Sequence, residues 1–199
     1  MSAVSETIVR EYFELHGFLV RQDRKFVAPR GENEEIDFFV LNPTPQKTES
    51  PLPFVLSSEN LSGIERAIVV VKGWHTETFS TAVLAHAPQI FRFVSPATFR
   101  QAEKKFGQDG AITKILILPA LPQNDEARTQ SIEVLRGKGI DAVIPFQVLL
   151  ADLVSQVEIN RNYQKSDLLQ IIRVLKNYDF FREPQLELFK TKRKRKSRS

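Results

Sequence analysis

The sequence contains no cysteine and no long apolar segment. The absence of cysteine excludes disulfide bonds and thiolate zinc sites, which favours a reducing compartment. No apolar run approaches the roughly 18 residues that a transmembrane helix needs. The first residues, MSAVSETIVREYFELHG, lack the basic start and apolar core of a signal peptide. We therefore expect a cytoplasmic protein with no membrane partner.

Basic charge has little excess over acidic charge except at the end of the chain. The sequence has 28 Lys and Arg residues against 24 Asp and Glu residues, and seven of the basic ones lie in residues 190–199, KTKRKRKSRS. The other 189 residues therefore hold 21 basic and 24 acidic side chains. Residues 190–199 are too polar to fold alone, which predicts a disordered tail. This tail could contact nucleic-acid phosphates non-specifically, or it could serve only as a solubilising end.

The hydrophobic patterns of the 199-residue chain predict a mixed sheet flanked by helices, in the fold class α/β (α+β). The predicted order is α-β-β-β-α-β, followed by α-β-α-α. Three successive strands form a meander, whereas later strands that are separated by helices cross over in parallel. Strands are predicted within 18–29, 34–43, 66–72, 114–121 and 140–146, with a short one at 54–56. Helices are predicted within 3–17, 76–93, 95–107, 124–139, 147–158 and 166–181.

Three polar positions are unusual for their places in this pattern. Asp37 lies near the start of the second strand, where aspartate is rare. Lys72 ends the buried strand AIVVVK, and Glu6 lies on the first helix. If the second and third strands are neighbours, Asp37 and Lys72 meet at one end of the sheet. Carboxylate and carbonyl oxygens suit Mg²⁺, and a lysine can neutralise charge that develops on a phosphate.

The chain resembles the PD-(D/E)xK, or restriction-endonuclease-like, nuclease superfamily. The resemblance rests on the α-β-β-β-α-β order and on three stretches: the helix with Glu6 leading to HGFLV, EEID with Asp37, and VVVKGW with Lys72. It implies catalytic roles for Lys72, Asp37 and Glu6. It also implies that Mg²⁺ or Mn²⁺ binds Asp37, Glu6 and the backbone carbonyl of Val71, and that the partner is nucleic acid, with DNA favoured.

One residue departs from the pattern of that superfamily. The position two before Lys72 should be acidic, and it is Val70. Strand alternation places residues 70 and 72 on one face, so the missing carboxylate is missing from the site itself. A migrated acid could replace it. The candidates are Glu35, Glu77 and Glu59.

Each of these residues also has an ordinary structural interpretation. Lys72 could be a strand-end lysine that reaches solvent. Glu6 could be a first-turn acid that the helix dipole favours. His75 could be a proton shuttle, a phosphate contact or a turn residue, and Trp74 could stack on a base or pack over the sheet edge.

Two functional hypotheses follow from the resemblance and its departure. The first is an Mg²⁺-dependent endonuclease with a divergent metal site. The second is an inactive nuclease fold that serves as a DNA-binding or assembly module. We expect a nuclease-like core over residues 1–120 and an α/β and helical extension over 121–189, packed on the core. The broad apolar surface of the last predicted helix would suit either burial or a homodimer.

Overall fold

A computed structural model describes residues 3–22, 36–46, 51–107 and 110–181. Glu35 and residues 190–199 lie outside these ranges. The chain forms two compact units, Met1–Gln156 and Val157–Ser199. No helix in the described ranges is both long and apolar enough to cross a membrane.

The first unit holds a five-stranded mixed sheet with helices on its faces. Its strands are β1 Leu19–Arg21, β2 Phe38–Leu41, β3 Arg66–Val71, β4 Thr113–Leu118 and β5 Ala142–Pro145. Its α-helices are α1 Ala3–Leu15, α2 Thr81–His86, α3 Pro96–Phe106, α4 Asp125–Gly137 and α5 Phe146–Gln156. Short 3₁₀ helices cover Ser58–Gly63 and Pro88–Val94. The predicted α+β class is confirmed.

The strands follow one another across the sheet in chain order. β1, β2 and β3 pair in antiparallel fashion, whereas β4 and β5 continue the sheet in parallel. The meander and the parallel crossovers are therefore confirmed. The predicted strand at 54–56 is reduced to an isolated bridge between Val55 and Val143.

The two faces of the sheet are covered by different helices. On one face, Ile68, Val70 and Phe39 belong to an apolar cluster with residues of α2, α3 and α4. On the other face, α1 packs against α5 and contacts β1 and β3. The chain alternates along β3, so Val69 and Val71 belong to the α1 face. The end of β3 therefore lies between the two layers of helices.

Capping residues explain where several helices begin and end. Gly17 has a φ of 80°, as predicted for the residue that ends α1. Ser95 accepts a hydrogen bond from the Thr98 N–H and precedes a first-turn proline, also as predicted. The prediction that a helix begins at residue 76 is wrong. Its start moves to Thr81 because Ser80 caps that helix.

The second compact unit is Val157–Ser199. Its described part contains α6, Asp167–Asn177, which begins after Ser166 as the capping residue. Ile171 and Val174 on this helix are exposed. The homodimer through C-terminal helices stays a prediction.

Candidate functional site

Asp37 is fixed at the junction of β2 and β3 by two hydrogen bonds. Its N–H donates to the carbonyl of Val69, the residue that is paired with Phe38, at 3.1 Å. Its Oδ2 accepts the Val71 N–H at 2.7 Å. The side chain thus takes the place of a backbone acceptor at the end of β3. This local geometry explains why an aspartate is found at the start of a strand.

The electrostatic surroundings of Asp37 include both other residues of the predicted site. Burial raises the pKa of Asp37 from 3.8 to about 6, although the Val71 N–H and the Lys72 ammonium lower it. The Glu6 carboxylate also raises this pKa. Lys72 and Glu6 therefore each lie within electrostatic range of Asp37. Carboxyl groups whose pKa is raised above the ordinary value are common at functional sites.

Glu6 reaches this place from the first turn of α1. Its Oε2 accepts a hydrogen bond from Gln22 Nε2 at 2.6 Å, and Gln22 directly follows β1. Arg10, one turn along α1, donates to Gln22 Oε1. These bonds hold Glu6 on the side of the sheet where β1 and β2 meet. The sequence analysis identified Glu6 but not its contact with Gln22.

The loop after Lys72 packs closely against α1. A Cβ atom on Gly73 would lie 2.8 Å from Ser5 Oγ, which is too close, so only glycine fits without a shift. Ser5 is buried, and its hydroxyl lies 3.1 Å from His75 Nε2. The His75 ring meets the Phe146 ring edge-on with 4.6 Å between centroids. Ser5 and Gly73 are thus packing residues of the site that the sequence motifs did not identify.

Lys72 begins the loop at the end of β3. Its backbone N–H donates to the Ile117 carbonyl of β4 at 2.9 Å, so the parallel pairing continues one residue past the strand. The Val71 carbonyl and N–H share the β2 side of the strand, because both groups of one residue point to the same neighbour. The Val71 carbonyl therefore lies on the edge that Asp37 occupies.

Val70 provides no polar group to the site. Its side chain is only 2% exposed and belongs to the apolar cluster with Ile68 and Phe39. The position that is acidic in the nuclease superfamily is part of the hydrophobic core in this chain.

The structure places the two candidate replacement acids that it describes in a turn and in a polar cavity. Glu77 is exposed in a turn before α2, where its N–H donates to the Trp74 carbonyl. Glu59 and Asn42 line a polar cavity of about 620 Å³. Asn42 follows the last residue of β2, whereas Asp37 precedes the first residue of that strand. Glu35 lies outside the described residues. Among the residues that the structure describes, no group of three His, Cys, Asp or Glu side chains could hold a metal.

Comparisons of the chain with protein-family models, curated proteins and solved structures find no match. The resemblance to the PD-(D/E)xK superfamily therefore rests on the order of the elements and on Glu6, Asp37 and Lys72.

Proposed function

We propose that this chain is a nucleic-acid-acting protein of the PD-(D/E)xK type, an Mg²⁺-dependent endonuclease with a divergent metal site. The observation that carries the proposal is the environment of Asp37. This partly buried carboxylate accepts the N–H of Val71 at the end of β3 and interacts electrostatically with both Lys72 and Glu6. An acid and a lysine at one strand junction, with a second acid from a helix, are the groups that phosphodiester chemistry uses.

The donor groups at this junction fit one hard divalent cation. Asp37, Glu6 and the Val71 carbonyl would hold it through oxygen atoms, and Mg²⁺ commonly binds one or two carboxylates together with water and substrate phosphate. Burial is the main cause of the raised pKa of Asp37, and the Glu6 carboxylate raises it further. A bound cation would neutralise phosphate charge and lower the pKa of an attacking water. Without an acid at Val70, the site fits one ion rather than two.

The side chains of the chain supply positioning and charge in this proposal. The Lys72 ammonium stabilises negative charge that develops on the phosphate oxygens, because a fixed cation in a partly buried site acts more strongly than one in water. The contact of Lys72 N–H with β4 holds its backbone in place. The Gln22 bond to Glu6 holds the helix carboxylate beside the end of β1.

A specific observation favours a second candidate, an inactive nuclease fold that binds DNA or acts in an assembly. Val70 lies in the apolar cluster, and the described residues contain no set of three metal-ligating side chains. In this case Asp37 and Lys72 would be structural. DNA as the nucleic acid, a cytoplasmic location and a homodimer are predictions for either candidate.

The test is cleavage of plasmid and single-stranded DNA with Mg²⁺ or Mn²⁺. We expect wild-type cleavage that depends on the metal, and a rate at least about 100-fold lower in both Lys72→Ala and Asp37→Asn. The control is Asp141→Asn, because Asp141 also accepts a backbone N–H, that of Lys114 at 2.8 Å, but lies away from the junction. No cleavage by the folded wild type with metal present would overturn the nuclease proposal and favour the inactive fold.

A further inference from the structure

A second feature adjoins the Asp37 junction, a cleft of about 200 Å³ at the edge of the sheet. We call it the edge cleft. Its lining combines apolar and basic side chains from β1, β2 and the end of α3, and none of the described residues that line it is acidic. The residues that line the edge cleft include Leu19, Arg21, Phe39, Leu41, Lys105 and Phe106.

The register of β1 and β2 explains why this surface is open. Leu19 is paired with Leu41, and Arg21 with Phe39, so these side chains share one face of the sheet. β1 is the edge strand, and Leu19 on it is 62% exposed. The helices on this face therefore leave part of the sheet edge uncovered.

The end of α3 forms the other wall of the edge cleft. The Lys105 ammonium lies 4.5 Å from the centroid of the Phe39 ring. The half-buried Phe106 ring meets Phe39 edge-on at 5.7 Å. A flat aromatic surface with a cation beside it suits a flat, electron-rich ligand that carries negative charge. Exposed Arg21 on the opposite wall adds a second cation.

The edge cleft is also close to the proposed phosphodiester site. Phe39 follows Asp37 by two residues, which is roughly 7 Å along an extended strand. A single nucleic-acid strand whose phosphate lies at Asp37 would therefore bring a neighbouring base to the aromatic wall.

We propose that the edge cleft binds one base of a single-stranded nucleic acid, stacked against Phe106, while Arg21 and Lys105 contact the adjoining phosphates. This inference rests on the proposed action on nucleic acid and adds the substrate form, an unpaired strand. A paired base would not fit, because its neighbours in the duplex cover both of its flat surfaces.

The test measures binding of a short fluorescein-labelled oligothymidine by anisotropy, in EDTA so that no cleavage occurs. We expect Phe106→Leu to raise the dissociation constant about tenfold, because base stacking on an aromatic ring contributes about 1–3 kcal/mol. The matched control is Phe99→Leu, since Phe99 is also half-buried on α3 with a lysine, Lys114, over its ring. Phe99→Leu should change binding by less than about twofold, within the range expected of a surface substitution.

Two further measurements make the interpretation specific. Lys105→Gln should reduce the slope of log K against log salt by about 1, as loss of one phosphate contact does. Photo-crosslinking of an iodouracil-substituted oligonucleotide to wild type should modify the peptide that contains Phe106. Equal effects of Phe106→Leu and Phe99→Leu, or a crosslink only elsewhere, would overturn the inference.

The outcomes separate this inference from the proposed nuclease. Metal-dependent DNA cleavage without Phe106-dependent oligonucleotide binding would remove the edge cleft and leave the nuclease. Phe106-dependent binding without any cleavage would support the cleft on an inactive fold. Failure of the wild type to bind the oligonucleotide overturns the inference, whatever the cleavage assay gives.

Discussion

Asp37→Asn should be more stable than wild type at pH 8 by up to about 3 kcal/mol, and the difference should vanish near pH 4. The folded protein raises the pKa of Asp37 from 3.8 to about 6, with burial as the main cause. Above pH 6 the wild type therefore keeps a partly buried charge that the unfolded chain would hydrate at lower cost. An asparagine removes this charge, and its Oδ1 can still accept the Val71 N–H.

The sign of the pH dependence follows from proton binding. Between pH 3.8 and about 6 the folded state holds the Asp37 proton more tightly than the unfolded state. This residue's contribution to the free energy of unfolding consequently falls as pH rises through that window, and it is constant above it. Urea denaturation of wild type and Asp37→Asn from pH 4 to pH 8 measures the difference.

Asp141→Asn is the matched control for this stability measurement. Asp141 accepts the Lys114 N–H as Asp37 accepts the Val71 N–H, but its side chain is 45% exposed. We expect this variant to be unchanged or slightly less stable at pH 8. Parallel stability curves for wild type and Asp37→Asn would contradict the burial of a charge at the junction.

Val70→Glu should destabilise the protein at pH 7.5 by about 3–5 kcal/mol, although it restores the acid of the superfamily motif. The Val70 side chain is 2% exposed and packs among Ile68, Phe39 and other apolar residues, which cannot solvate a carboxylate. The loss in free energy of unfolding is largest at pH values above the raised pKa of the new glutamate. It declines as the pH falls toward the pKa that this glutamate has in the unfolded chain. Restoring the motif by this one substitution should therefore not create a better metal site.

Val70→Gln separates charge from size in that experiment. It should cost about 1–3 kcal/mol at every pH, because an amide is buried without a partner but no charge is involved. Urea denaturation at pH 7.5 and pH 5 compares the two variants. A Val70→Glu protein of wild-type stability with tighter Mn²⁺ binding would show that residue 70 faces the site.

The sequence predicts the fold because local patterns agree with the tertiary arrangement. Continuous apolar runs such as Ala67–Val71 indicate strands buried on both faces, and β3 is covered by helices on both sides. The order of strands and helices then requires a meander followed by parallel crossovers. The start of α2 was wrong because Phe79 is buried in an extended segment and donates to the Ala120 carbonyl, a contact that periodicity does not reveal.

The sequence predicts only part of the candidate site. Asp37 and Lys72 were identifiable because aspartate is rare at a strand start and lysine is unusual at the end of a buried strand. The partnership of Glu6 with Gln22 depends on how α1 packs beside β1, which one sequence does not encode in any short motif. Asp37 precedes β2, whereas Glu59 lies in a cavity with Asn42, which follows β2. This separation could be recognised only once the strand register was known.

The cation site at Asp37 is tested by measuring Mn²⁺ binding with electron paramagnetic resonance at pH 7.5, with a short oligonucleotide present. We expect one bound Mn²⁺ per chain in wild type, loss of that binding in Asp37→Asn and Glu6→Gln, and no change in Asp141→Asn. Since hard cations bind carboxylate oxygens, removal of either ligand should weaken binding by at least about tenfold. Binding that persists in Asp37→Asn, or no bound Mn²⁺ in folded wild type, would contradict a cation site at the junction of β2 and β3.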